Sequence, residues 1–278
     1  MPKITAVIPT YNADWRLERC LRSLRYADEI IAVDMCSTND TAERARALAD
    51  QLFVRDGGGD IHANVNFGIS KAQHEYIHLA AQDHVVPPAL AAELRQFATQ
   101  GEVDVVEFEQ RTFKFGREIL FGAAEERWLP TFARKGSLLP EEGALHRGFQ
   151  FAPGVRKVRA RAHVLHNSDV KISDWLTKQN RFTDLDVERL NFTHFNDLTR
   201  SFGPARLTLR MIRTFVNLYI KRHGYRDGVH GYLLAMFSAF YNLTEQAKLF
   251  ERQWDWSDVP PELRPPPAAP TREADPAR

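Results

Sequence analysis

The feature that most constrains this chain is an alternation carried through its first eighty residues. Ile4 to Ile8 is a β-branched, apolar run that Pro9-Thr10-Tyr11-Asn12 brings to an end. Leu17, Cys20, Leu21 and Leu24 then recur at helical spacing, with Asp14 placed to cap that helix. Glu29 to Asp34 is a second strand, with a carboxylate at its carboxyl end, and Ser37-Thr38-Asn39-Asp40 leads into a helix from about Thr41 to Leu48. Leu52-Phe53-Val54 is a third strand, a helix follows from about Ala63 to Ala72, and Tyr76 to Leu79 is a fourth strand. Strands alternating with helices predict an α/β fold: a Rossmann-like, mostly parallel sheet with right-handed crossovers and helices on its faces.

In such a sheet, ligands gather at the carboxyl ends of the strands. The stretch Ile77-His78-Leu79-Ala80-Ala81-Gln82-Asp83-His84-Val85-Val86 is an apolar run ending in a small polar cluster, and Asp83 is its one carboxylate. Gly57-Gly58-Gly59 lacks the G-x-G-x-x-G spacing, so a dinucleotide fold is not indicated. Val103 to Phe108 reads as a further strand. From Ser173 onwards the chain reads as helical, in segments of about 173–195, 206–222 and 229–250. Arg200, Arg206, Arg210, Arg213, Lys221, Arg222 and Arg226 string positive charge along the middle of that region. The expected division is a domain over 1–170, a helical extension over 171–257, and a Pro-rich disordered tail over 258–278.

Composition narrows the function classes. A formal net charge of +1 gives no polycation for nucleic acid. Cys20 and Cys36 form neither a disulfide framework nor a metal-ligand spacing, which fits a reducing cytosol. The N-terminal residues run straight into a strand, so no signal peptide is expected, and no apolar run is long enough to span a bilayer.

Ala6-Val7-Ile8-Pro9-Thr10-Tyr11-Asn12, Ala27 to Asp34 and Ser37-Thr38-Asn39-Asp40-Thr41 resemble the inverting glycosyltransferases of family 2, which have the GT-A fold. The likeness is nearest to the lipopolysaccharide-core glucosyltransferase branch. It continues through Arg111 to Arg117, Phe132 to Gly136, Leu165-His166-Asn167-Ser168, Gln179-Asn180-Arg181-Phe182 and Gly224 to Gly228, covering roughly residues 3 to 250.

The resemblance implies a site. Asp34 would hold the base of a nucleotide-diphosphate sugar, with Pro9, Tyr11 and Asn12 lining the same pocket. The alternative reading of Asp34 is a helix or turn cap. Asn66 and Gly68 match a Gln-Lys-Asn-x-Gly segment in which the lysine is replaced by Val65. Relatives carry Asp-x-Asp at the fourth strand end, whereas this chain has Ala81-Gln82-Asp83, a degenerate motif. Asp83, with His166 downstream and His84 adjacent, is then the expected site for a divalent metal, Mn²⁺ or Mg²⁺. Gln82, Arg111 and Arg134 are further expected contacts to the nucleotide side. Relatives end the acceptor loop with His-Glu, and here the sequence is His146-Arg147. The general base therefore stays open among His146, Glu142 and Glu126, with His146 favoured because imidazole accepts a proton near neutral pH.

The implied activity is transfer of a sugar, with inversion, to a hydroxyl of a glycan or lipid-linked saccharide in cell-envelope polysaccharide biosynthesis. It would take place in the cytoplasm, with possible peripheral contact between the C-terminal helices and the inner face of the plasma membrane. Simple packing of those helices is the alternative. Ala81 and Arg147 keep open a catalytically altered binding scaffold, or a transferase acting on a small-molecule natural product.

Overall fold

The computed structural model describes residues 2–56, 61–124, 128–139, 150–189, 196–252 and 257–264. The alternation appears as β1 (Ile4–Thr10), α1 (Arg16–Ser23), β2 (Glu29–Asp34), α2 (Thr41–Leu48), β3 (Gln51–Val54), α3 (Ile61–Lys71) and β4 (Tyr76–Leu79). Next come the short β5 (His84–Val85) and α4 (Pro88–Gln100), which opens on a proline at its first turn and closes on Gly101 in the left-handed region. The chain then builds β6 (Val105–Lys114), β7 (Arg117–Glu118), β8 (Trp128–Arg134), β9 (Leu138–Leu139), β10 (Gln150–Phe151) and β11 (Lys157–Asp169). Phe115 and Gly116, both with positive φ, make the two-residue turn between β6 and β7. The helical extension is α5 (Ile172–Arg189), α6 (Asn196–Phe215), a π-helical segment Val216–Lys221, and α7 (Gly228–Glu251).

The main sheet runs β3-β2-β1-β4-β8-β6-β11-β5, with β7 attached to β6. β1 pairs in parallel with β2 and β4, and β2 with β3, as the alternation predicts. The second half is mixed. β8 is antiparallel to both β4 and β6, β11 is parallel to β6, and β5 is antiparallel to β11. The strands β8 and β11 are absent from the sequence reading. Lys157-Val158-Arg159-Ala160-Arg161 of β11 does alternate charged and apolar residues, as one exposed face requires, while Pro130 interrupts the apolar run of β8.

Both faces of the parallel half are covered, which is why β1 and β2 read as continuous apolar runs. Ile4, Ala6 and Ile8 face one way, onto Leu17, Leu21 and Leu24 and onto Leu90 and Leu94 of α4. Val7, Ile31, Val33, Ile77 and Leu79 face the other way, onto Val65 of α3. Gly68 lets α3 approach that closely: a Cβ there would lie 2.5 Å from Val7 Cγ1 and 3.2 Å from Val33 Cγ2. The retained glycine therefore has a packing reason. Val65, the position that resembles a family lysine, faces the same apolar layer.

A second junction of small residues docks the helical extension. Gly122 donates its N–H to Arg222 O at 2.8 Å, and a Cβ on Gly122 would meet Gly224 Cα at 2.8 Å. Gly231 has no room for a Cβ against the Gly224 carbonyl. Buried Asp227 accepts the N–H groups of Leu120 and Phe121 at 3.2 and 2.8 Å. Phe237 of α7 stacks on Trp175 of α5 with centroids 4.6 Å apart. Among the described residues, no helix is long and apolar enough to cross a membrane. Leu209, Ile212, Val229 and Phe240 are exposed on α6 and α7.

Candidate functional site

The carboxyl ends of β1 and β2 are tied to each other. Asp34 is 1% exposed and ends β2. Its carboxylate accepts Thr10 Oγ at 3.1 Å, Ser37 Oγ at 2.6 Å and the Ser37 N–H at 2.9 Å. Asn12, at φ 41°, turns so that its side-chain oxygen accepts the Thr38 N–H at 2.8 Å, while its own N–H donates to Ser37 Oγ at 2.8 Å. Asn39 and Thr41 join Ala13 to the start of α2. Gln82 links the same rim to β4: it accepts the Tyr11 N–H at 2.9 Å and donates to Tyr11 O at 3.3 Å. The structure thus brings Pro9, Tyr11, Asn12, Asp34 and Gln82 together at one rim.

The end of β4 adjoins this rim. Ala81 has no carboxylate, and its carbonyl closes the turn by accepting the His84 N–H at 3.0 Å and the Cys20 thiol at 3.2 Å. That turn sends Asp83 and His84 back along β11, where His84 pairs directly with His166 and the Asn167 N–H donates to the Asp83 carbonyl at 3.1 Å. Directly paired residues in an antiparallel ladder point to the same face. The two imidazole rings accordingly meet edge to face, 4.9 Å apart, and His166 Nε2 lies 3.3 Å from Asp83 Oδ2. The Asp83, His84 and His166 donor atoms all fall within 4.8 Å of one another.

This donor set fits a divalent ion. It offers one carboxylate and two imidazoles with room for further ligands, a mixture that Mn²⁺ tolerates better than Mg²⁺, which prefers oxygen. Burial pushes the Asp83 carboxyl up, but the His166 hydrogen bond and the nearby charges of His166, His84 and Lys178 outweigh it and hold it at about 2. The group is therefore a carboxylate at any working pH.

Cations ring the cluster. Arg16 donates through Nη1 to the carbonyls of Asn167 and Ser168, each at 2.5 Å, and through Nε to Asp14 at 2.9 Å. Burial works against its charge, and Asp14, Asp83 and Asp169 restore it, so its pKa ends above the ordinary arginine value. Asp169, 4% exposed at the end of β11, takes Lys114 and Lys178 at 3.2 Å each. Burial would raise its carboxyl, and the two lysines bring it below the usual range. Arg181 of α5 lies over the Tyr11 ring, 4.2 Å from its centroid.

The other predicted residues fall elsewhere. Arg111 sits on β6 one residue from Thr112, whose hydroxyl lies 3.5 Å from His166 Nδ1, but its guanidinium is held by Glu118 at 2.5 and 2.6 Å. Arg134 is not brought to the site. It pairs with Tyr76 at the amino end of β4, the opposite end from Asp83, and binds Glu75, the Tyr76 hydroxyl and the Gly101 carbonyl. Asn66 lies within α3. His146, Glu142 and Glu126, together with Arg147, lie outside the described residues.

Sequence reasoning passed over Arg16, Lys178 and the full part played by His84. Arg16 reaches partners some 150 positions away, and no local pattern marks such a contact. The histidine pairing follows only from the register of β5 on β11.

The model of glycosyl transferase family 2 matches residues 5–160, more than half of the chain. A curated relative, the uncharacterized glycosyltransferase EpsJ of Bacillus subtilis (strain 168), is 26% identical over 115 residues, covering 38% of this chain. The match spans 33% of that relative's length. Among solved structures, S. aureus TarS 1–349 aligns over 91% of this chain and 92% of its own, at 15% identity and a TM-score of 0.45. The M. tuberculosis glucosyl-3-phosphoglycerate synthase, in complex with Mn²⁺, UDP and glucosyl-3-phosphoglycerate, aligns over 40% of this chain and 44% of its own, at 21% identity and a TM-score of 0.34.

Proposed function

The chain belongs to glycosyl transferase family 2, and from that premise we propose that it moves a sugar from a nucleotide-diphosphate donor to a hydroxyl of a glycan or lipid-linked saccharide, with inversion at the anomeric carbon. The observation that carries this reading is the Asp83, His84 and His166 donor group, set beside the rim formed by Tyr11, Asn12 and Asp34. The base and ribose would lie against that rim, with Asp34 and the backbone of 9–12 shaping the pocket. The diphosphate would lie towards Asp83. A bound divalent ion, with Mn²⁺ preferred by this donor set, supplies charge neutralisation of the departing diphosphate.

The protein's own groups carry the rest. Asp83, ionised well below neutral pH, contributes a fixed negative charge to the ion site. His166 is oriented by Asp83 on one nitrogen and approached by Thr112 on the other. In the transfer, the acceptor oxygen forms its bond to the anomeric carbon as the bond from that carbon to the phosphate oxygen breaks. The hydroxyl proton passes to a base, and the nucleoside diphosphate leaves with the electron pair. His146, Glu142 and Glu126 remain the candidates for that base.

Ala81, without a carboxylate at the first motif position, favours a second reading: a scaffold that binds the nucleotide without turning it over. Thermal unfolding with UDP, GDP, CDP and TDP, each with and without Mn²⁺, tests the shared premise. At about one hundred times the dissociation constant, a true ligand raises stability by about 2.7 kcal/mol and the melting temperature by roughly 5–10 °C. The expected result is a rise with one nucleotide that grows when Mn²⁺ is added. A well-folded protein stabilised by no nucleotide, with or without metal, sinks both readings. Binding together with sugar release in the presence of acceptor saccharides separates the transferase from the scaffold.

A further inference from the structure

Helix α5 belongs to the C-terminal extension, yet it reaches the strand ends that carry the site. Its rotation is fixed from behind by α7. Phe237 stacks on Trp175, and the Lys248 ammonium binds the Asn180 carbonyl and amide oxygen, Thr183 Oγ and Asp184 at 2.6–2.9 Å. Asn180 is thereby committed to packing. Lys178 and Arg181, three residues apart and so neighbours on one face, turn instead towards β1 and β11.

We propose that Lys178 and Arg181 form an anion clamp that grips the diphosphate of the nucleotide, so that the C-terminal extension completes the donor site. The inference rests on the nucleotide-sugar reading above and deepens it.

Three observations support the clamp. Arg181 is exposed, its guanidinium carbon lies over the Tyr11 ring 4.2 Å from the centroid, and among the described residues it has no carboxylate or carbonyl partner. Stacking leaves the in-plane N–H fork of a guanidinium available, and that fork matches phosphate oxygens. Lys178 binds Asp169 through Oδ1 at 3.2 Å while Lys114 takes Oδ2, so two ammonium groups meet at one carboxylate. Asp169 lies three residues beyond His166 on β11, so the Lys178 ammonium bound to it stands at the strand end that carries the ion site.

The charge balance around the strand ends points the same way. Asp14, Asp83 and Asp169 face Arg16, Lys114, Lys178 and Arg181. A divalent ion held by Asp83, His84 and His166 would add two positive charges to this group. A sugar-nucleotide diphosphate carries about two negative charges and the released nucleoside diphosphate close to three, by the usual second phosphate ionisation near pH 6. The clamp therefore holds the leaving group more tightly than the intact donor, the direction that favours bond cleavage.

Titration calorimetry with Mn²⁺ present tests this, using the nucleoside diphosphate that gives the largest stabilisation, the matching monophosphate, and inorganic pyrophosphate. The proteins are wild type, Arg181→Ala, Arg181→Lys and Lys178→Ala. The expected result is diphosphate binding weakened about tenfold or more by Arg181→Ala, the size of one charge-assisted contact, with a partial return in Arg181→Lys and monophosphate affinity changed less than about threefold. Equal losses for the monophosphate and diphosphate would assign Arg181 to supporting Tyr11 and overturn the clamp. Unchanged diphosphate affinity in both alanine variants overturns it while leaving the nucleotide reading intact. Pyrophosphate binding that depends on Arg181, with no nucleotide preference, supports the clamp and counts against the nucleotide-sugar reading. A wild-type protein that binds none of the three probes removes both.

Discussion

Two strand ends in this sheet each carry an aspartate, and they are built in opposite ways. Asp34, at the end of β2, gives its oxygens to three protein donors from Thr10 and Ser37, and the loops around it are cross-linked through Asn12, Asn39 and Thr41. Asp83, beyond β4, meets two imidazoles whose nitrogen atoms converge with its own oxygen. One carboxylate is enclosed by groups that need it, and the other sits among groups that, like it, can bind an ion. Aspartates at neighbouring strand ends are thus tied into the loops in one case and, in the function proposed above, turned to an ion in the other. The neighbours decide which: hydroxyl and amide donors around Asp34, metal-binding nitrogen atoms around Asp83.

The contrast breaks most visibly in activity. Asp83→Ala removes the one carboxylate that the described residues bring to the ion site, and the loss of about 3 kcal/mol of charge stabilisation lowers transfer by roughly a hundredfold or more. Its melting temperature should move less than that of Asp34→Ala. Initial rates with the stabilising nucleotide sugar measure the first part, and unchanged rates would end the role given to Asp83.

The next effect is on stability. Asp34→Ala leaves the buried Thr10 hydroxyl and the half-buried Ser37 donors without their acceptor, at about 1–3 kcal/mol by the usual penalty for such groups. Urea unfolding reads this directly. A variant as stable as wild type would mean that the loops hold without the carboxylate, leaving Asp34 for a ligand.

The smallest effect sharpens the comparison between histidines. His84 and His166 face the ion site, whereas His78 on β4 is 1% exposed, takes the Tyr26 hydroxyl on Nδ1 at 2.5 Å, and has no partner for Nε2. Burial, helped by the charge of His84, lowers its pKa to about 3. The folded protein thus keeps His78 neutral while the unfolded chain takes up a proton below about pH 6.5. Stability from this residue is intact above that value and declines as pH falls from about 6.5 towards 3, by roughly 1.4 kcal/mol per unit. Between pH 7.5 and 5.5, wild type should lose about 1.4 kcal/mol more than His78→Phe. Parallel pH profiles of the two proteins would mean that the ring is protonated in place.

Much of the fold was legible because local pattern and tertiary demand agree. The predicted bounds Glu29–Asp34, Thr41–Leu48 and Tyr76–Leu79 are those of β2, α2 and β4; in the two strands, apolar runs buried on both faces leave little room for another register. β8 and β11 were not read as strands: Pro130 interrupts the first, and the partners of both are distant in sequence. In the site, the sequence pointed to Asp83 and His166 with His84 adjacent, and the register of β5 on β11 is what sets His84 directly against His166. Arg134 shows the opposite case. A positive residue in a family-like segment suggested contact with the diphosphate, yet the antiparallel run of β8 carries it to the far end of the sheet, against Glu75 and Asp104.

By itself, the sequence determined the alternation of strand and helix, and hence which strand ends face the site, because periodicity and turn chemistry are local properties. The tertiary structure alone decided which charges meet there. Arg16, His84 and Lys178 are scattered through the chain, and they come together only because pairing register and the glycine-mediated docking of the helical extension fix distances that no local pattern encodes.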